Sequence, residues 1–222
     1  MITDEGMFNM DGAIFSFNNI FVDTDKLAFT AWQRFAMYEF GMGLPGKLAP
    51  QFANLTPEQG LTLVLKHFNT NLDASEKVQM ITEWQKMLSE EADNLSENDQ
   101  LPGIKRLLLN LYDHYVKIAV LDTNGDVQNI LKQVGLDNYV DSIISYRDDE
   151  NPYSAAINQL NLNGPACIGI GTTANEIANI HEINAIAIGI GDATQLASAD
   201  YQVVQVGDLR YPMLQKIWED KH

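Results

Sequence analysis

The stretch FNMDGAIF, residues 8–15, reads like a catalytic turn in which the attacking oxygen has been exchanged for an amide nitrogen. Asp11 offers a carboxylate for acid-base work and Gly12 a sharp turn, but Asn9 has no anionic oxygen with which to attack an electrophile. A plainer reading has Asp11 bonding to nearby backbone donors and capping the turn. The run VKIAVLDTNGD leaves Asp122 and Thr123 at its polar end, where Asp122 either faces a site or caps a helix that begins near Asp126. After CIGIG the chain opens a helix at Thr172 and Thr173, whose free backbone N–H groups and helix dipole can hold an anion without a metal. His67, His114, His181 and His222 have no mutual spacing suited to a metal, and Cys167 is the single cysteine.

The elements that must position these residues alternate along the second half of the chain. Helical spacing in LPGIKRLLLNLYDHY gives way to the apolar run 116–121, and VQNILKQVGL is followed by the short strand DSIIS. The helix NPYSAAINQLNL precedes a strand at 166–171, ANEIANIHEI precedes one at 185–191, and YQVVQV closes the series. The runs are apolar throughout, as strands covered on both faces by helices should be. A doubly wound parallel α/β sheet of about five strands is expected. TDEGMF is expected to supply its first strand, shortened by its polar residues. Between residues 24 and 97 three segments have helical periodicity and none reads as a strand. The expected division is therefore a core of residues 1–23 and 98–222 with a helical cap, 24–97, inserted over the carboxyl ends of the strands. Trp32 and Trp84 are assigned to the core of that insertion. Asn184 ends a helix in the left-handed conformation that Asn tolerates.

The chain has 222 residues and a formal net charge of -16, from 14 Lys plus Arg and 30 Asp plus Glu, which repels nucleic acid and anionic membranes on average. A single cysteine permits no internal disulfide and fits a reducing interior. With no signal-like N-terminus and no long apolar run, a cytoplasmic location is expected.

FNMDGAIF, the helical insertion, LPGIKRLLLNLYDHYVKIAVLDTN, GLDNYVDSII, the NP pair before a helix, CIGIGTTANEIANIHEINAIAIGIG and DYQVV together resemble the haloacid dehalogenase superfamily, in its β-phosphoglucomutase and phosphatase-like branch. The resemblance covers nearly the whole chain. It implies a Rossmann-like parallel-sheet core with an inserted cap, and phosphoryl transfer from a loop Asp-x-Asp-Gly-x-x-Thr/Val whose first Asp attacks phosphorus and binds Mg²⁺ while the second is the acid and base. On that pattern Asn9 replaces the nucleophile, Asp11 is the vestigial acid-base residue and Phe15 stands at the small position. SFNNIFV then appears as some seven extra loop residues before Asp23 and Thr24, and Ala28 stands at a position where the family has His.

Three further motifs of the family have changed as well. Its Ser or Thr after the second strand is Asp122, with Thr123 beside it; a carboxylate ~4 Å from a phosphate charge costs about 4 kcal/mol at an effective dielectric near 20. The family's Lys before Pro is Asn151, with Arg147 the nearest cation. Its acidic pair after the next strand is Gly171 and Thr172, followed by Thr173, and Glu176 is the first acid downstream. Four altered motifs imply a catalytically silent protein that binds a small phosphorylated or sugar-like ligand, or a protein partner, with no cofactor. The alternative is a divergent Mg²⁺-dependent phosphatase or phosphoglucomutase that uses Asp11, Asp122 and Glu176. In a third reading Phe15 and Phe17 fill the cleft of an interaction subunit.

Overall fold

The computed structural model describes residues 10–122, 125–146 and 150–221. Six strands form one sheet: β1 (Gly12–Phe15), β2 (Lys117–Asp122), β3 (Ser142–Ser145), β4 (Cys167–Gly171), β5 (Ile186–Ile190) and β6 (Tyr201–Val203). Their order is β3-β2-β1-β4-β5-β6 and every pairing is parallel. Parallel neighbours need a crossover between them, and helices supply it. Three helices, α1 (Thr24–Phe40), α2 (Pro57–His67) and α3 (Ala74–Asp93), fill the segment after β1. The remaining helices are α4 (Ile104–Asp113), α5 (Val127–Gln133), α6 (Pro152–Leu160), α7 (Ala174–Glu182) and α8 (Tyr211–Glu219).

The strands are apolar throughout because both faces are covered. Phe15, Ile118, Val120, Ile168 and Ile170 point to one side, where Leu107, Leu108 and Leu111 of α4, Ile130 of α5 and Leu214 and Trp218 of α8 close over them. Their neighbours Ile14, Ala119, Leu121 and Cys167 point to the other, against Tyr153 and Ala156 of α6 and Ile177 and Ile180 of α7. At about 1.5–3 kcal/mol for each large apolar side chain buried, these two layers supply most of the drive to form the sheet. Helices α1 to α3 bury a separate cluster around Trp32, Phe35, Val64 and Met87, in which Trp32 and Trp84 stack with ring centres 4.5 Å apart.

The chain enters and leaves this helical segment at one place. Val22 forms an antiparallel bridge with Gln100, and the Leu101 N–H donates to the Phe21 carbonyl at 2.8 Å. At the far end of α3, the Asn129 amide of α5 donates to Asp93 at 2.8 Å.

The doubly wound parallel sheet matches expectation, and β2, β3, β4 and β5 each lie within a residue or so of their predicted runs. The count is six strands rather than about five. The first strand is corrected. TDEGMF lies outside the described residues, and β1 is GAIF, the stretch that sequence reading had given to the catalytic loop. Gly12 is likewise not a turn: it is the first residue of the strand, where a Cβ would come within 2.6 Å of Leu162 and 2.8 Å of the Cys167 sulfur. Helix α8 was not foreseen, although Tyr211, Leu214, Ile217 and Trp218 have helical spacing. Asn184 is left-handed as expected, at φ 57.

Candidate active-site cleft

Strand order reverses between β1 and β4, and a ligand of such a sheet sits at that switch point, beyond the carboxyl ends of the strands. Ser16 follows β1 there and Thr172 follows β4; the Ser16 amide donates to the Ile170 carbonyl at 2.8 Å, holding the two ends together. A cleft of about 210 Å³ opens at this point, lined among others by Ser16, Phe17, Asn18, Glu150, Thr173 and Glu176. A second cavity of about 410 Å³ lies beside it, between Asn19, Asp23, Thr172 and Gln195 of the core and Asn54 of the helical segment.

This geometry moves the catalytic-loop pattern by seven residues. Ser16-Phe17-Asn18-Asn19-Ile20-Phe21-Val22 falls on Asp-x-Asp-Gly-x-x-Thr/Val, with Val22 matching its last position and Asp23-Thr24 following directly. Asn19, at the glycine position, has the left-handed φ of 55 that such a position demands. Its side-chain oxygen accepts from the Thr24 N–H and hydroxyl, both at 3.0 Å, and its amide donates to Asp25 at 2.9 Å, fixing the loop onto the start of α1. Asp25 in turn accepts from the Asn54 N–H at 2.9 Å. The apparent seven-residue insertion therefore disappears.

The earlier assignment is corrected accordingly. Asn9 lies outside the described residues. Asp11 is exposed and lies at the amino end of β1, where its amide bonds to the Ala166 carbonyl; the four residues of β1, five steps or about 16 Å, separate it from Ser16. Its neighbour is Cys167, whose thiol is pushed up to about 12, first by burial and then by the Asp11 charge. Phe15 belongs to the core of the sheet, and Phe17 stacks on Phe21 with centres 5.5 Å apart, leaving the cleft open.

Both helix N-termini at the mouth are capped by the chain itself. Asn151, at the family's Lys position, accepts from the Tyr153 and Ser154 amides at 3.0 and 3.3 Å and donates to the Asn179 carbonyl and to Glu182 at 2.8 and 2.9 Å. It caps α6 and staples it to α7. Thr173 caps α7 by accepting from the Glu176 N–H at 3.3 Å, and Glu176 folds back to accept from the Thr172 and Thr173 amides at 2.7 and 3.0 Å and from the Thr172 hydroxyl at 3.3 Å. Asp122 is almost fully buried and accepts from the Gly125 amide at 2.7 Å, which closes the turn before α5. It does not line the cleft, and it does not cap α5 directly. Thr123 and Arg147 lie outside the described residues.

Tyr153, fully buried, donates to the Ile170 carbonyl at 3.1 Å just beneath the cleft. Burial holds its phenol well above the usual range and the Glu176 charge adds to this, while the neighbouring Ser16 hydroxyl acts in the opposite sense. The phenol gives its proton to Ile170, and its oxygen lies near enough to the Ser16 hydroxyl to accept from it; Ser16 Oγ itself is shut off from solvent and makes no other hydrogen bond among the described residues.

Among the described residues the groups at the mouth do not suit Mg²⁺. The loop offers a hydroxyl and two amides, β4 is followed by threonines, and one carboxylate oxygen of Glu176 is taken by backbone amides, whereas Mg²⁺ is ordinarily held by one or two carboxylates together with substrate phosphate. Asp11, Asp122 and Glu176 are not brought together, since the first lies at the opposite end of the sheet from the other two. Ser16, Asn18, Asn19 and Tyr153 were missed from sequence. Counting back from the Val22-Asp23-Thr24 signal would have found the first three.

The sequence profile described as haloacid dehalogenase-like hydrolase matches residues 13–190, beginning in β1 and so excluding Asn9 and Asp11. A β-phosphoglucomutase of Bacillus subtilis (strain 168) is 23% identical over 222 residues, spanning 95% of this chain and 96% of its own length. The crystal structure of β-phosphoglucomutase from Clostridium difficile, also 23% identical, superposes with a TM-score of 0.77 and covers 95% of this chain and 98% of its own. A mutant of CbbY from Rhodobacter sphaeroides, solved in complex with xylulose-(1,5)bisphosphate, superposes with a TM-score of 0.69 at 14% identity, covering 90% and 96% of the two chains. With the profile spanning most of the chain and starting at β1, this protein belongs to the haloacid dehalogenase-like hydrolase family.

Proposed function

We propose that this protein does not transfer phosphoryl groups through an aspartyl intermediate, and that its cleft instead binds a small phosphorylated or sugar-like molecule, with helices α1 to α3 acting as a cap. The reading rests on one observation: the residue presented at the carboxyl end of β1 is Ser16, a buried hydroxyl with no neighbouring His and no activating partner among the described residues. Supporting it, Asn18 cannot donate and recover a proton at neutral pH as a carboxylate does, and the cation expected before Pro152 is the helix cap Asn151. The relatives named above contribute the ligand class, since one of them was solved with a sugar bisphosphate.

Hydrolysis of an aryl phosphate and isomerisation of β-glucose 1-phosphate, each measured with and without Mg²⁺, test the reading. Turnover is expected to stay at the background of a heat-treated control. Mg²⁺-dependent turnover that vanishes in Ser16→Ala would refute it.

A further inference from the structure

Asn19 stands where the family pattern has a glycine, and its left-handed backbone is one that glycine and asparagine both adopt. The side chain therefore adds something that the turn does not require. It reaches across the junction at Val22 and Asp23 to the first residues of α1. Its oxygen accepts from the Thr24 amide and hydroxyl, both at 3.0 Å, and from the Asp25 amide at 3.3 Å, while its nitrogen donates to one carboxylate oxygen of Asp25 at 2.9 Å. The Thr24 hydroxyl accepts in return from the Asn19 amide at 3.2 Å. Amides that open a helix have no partners within it, and here two of them are satisfied from the loop that leaves the sheet; Asp23 takes a third, that of Lys26, at 2.8 Å. The other Asp25 oxygen accepts from the Asn54 amide at 2.9 Å, so the link runs on to the loop before α2.

Phe21 and Val22 are packed into the core of the sheet and Val22 bridges Gln100, so the neck itself is not where the helices can turn. The turning point on this side is the junction just after Val22, and the Asn19 side chain spans it. On the other side α3 is tied to α5 through Asp93 and Asn129. Asn19, Asp23, Asp25 and Asn54 also line the cavity of about 410 Å³, together with Thr172, Asp192 and Gln195 of the core. Taking from the proposal above only that α1 to α3 form a cap, we infer that Asn19 is a hinge strap: its side chain locks the cap at one angle to the sheet and so fixes the width of the cavity between them. Turning α1 about the junction breaks the four bonds of that side chain together and strands the Thr24 and Asp25 amides. The cap is thus held or released as a unit rather than swinging by small steps.

Cys167 is buried, so cysteines introduced at the exposed Met42, just beyond α1, and at the exposed Leu109 of α4 take spin labels selectively. Electron–electron distance measurements on the full chain should give one narrow distribution in this labelled background. Asn19→Gly keeps the left-handed turn and deletes the strap, and the distribution should then split or reach at least about twice its width. Asp25→Ala gives a second arm that leaves the loop intact: amide exchange followed by NMR should quicken about tenfold at Asn54 and stay unchanged at Thr24. A broad or two-peaked distribution without the strap mutation, an Asn19→Gly distribution as narrow as its parent, or unaltered exchange at Asn54 in Asp25→Ala overturns the inference. None of these readouts involves turnover, which alone decides the non-catalytic reading.

Discussion

At Ser16 the difference between a hydroxyl and a carboxylate decides what the cleft tolerates. The site is buried, with Glu176 and Glu150 lining the same cleft and no cation among its described lining residues, so an added negative charge would be desolvated and unpaired. Ser16→Asp is therefore expected to cost roughly 2–4 kcal/mol of stability at neutral pH, measured by urea denaturation. The new carboxyl would have a raised folded-state pKa, so the loss should shrink as pH falls and the group takes up its proton. Added Mg²⁺ should not restore the loss; clear recovery would show that the mouth can still assemble a cation site.

Among the elements, the contact of α3 with α5 concentrates negative charge. Burial first, and then the charges of Asp122 and Asp93, raise the Asp126 carboxyl above its usual 3.8, against a hydrogen bond from Ser89. Above 3.8 and up to the raised value, the folded chain retains a proton that the unfolded chain releases. Stability contributed at this position is thus highest at low pH and falls as pH rises through that window. Asp126→Asn should raise Tm at pH 7, with the gap over the native chain closing as pH approaches about 4, the ordinary value for Asp. Scanning calorimetry over that range checks it, and a gap independent of pH would remove the charge explanation. The same level shows what sequence reading can reach. Continuous apolar runs and period-3.6 patterns placed the sheet and most of its helices because both faces of a parallel strand must be apolar, which Ile118 to Leu121 and Ile168 to Ile170 display. The position of the catalytic loop was not secured this way. Asp11-Gly12 imitates a motif by letter, and only the pairing of Gly12 with Lys117 and Cys167 reveals that it begins a strand rather than ends one. The self-capping of α7 by Glu176 was hidden for a similar reason: an acidic residue at N3 reads equally well as a ligand or as a cap until its hydrogen bonds are seen.

Across the whole molecule, a formal charge of -16 places the folded state under mutual repulsion. Some of it is relieved locally: Asp200 bonds with Lys221, the Ala187 amide and His181, which outweigh burial and hold its carboxyl below the usual range. Arg34 pairs with Glu90 and Glu91 across α1 and α3. Acids nonetheless outnumber bases 30 to 14, so raising ionic strength from about 0.02 to 0.2 M should increase Tm by roughly 2–4 °C, corresponding to about 1 kcal/mol at this chain length. A Tm that falls over the same range would mean that specific ion pairs outweigh the bulk field. Among the described residues no helix is long and apolar enough to cross a membrane.

The bridge between Val22 and Gln100 has a wider meaning. Because the outgoing and returning backbones lie side by side, the long excursion between them meets the sheet much as a hairpin might, through a pair of adjacent rungs, with the contact of α3 on α5 beside them. Descent with modification can thus lengthen, trim or exchange everything beyond that neck while the layers beneath keep their register, which gives a lineage freedom to redesign the lid of an old pocket without relearning how to fold its floor.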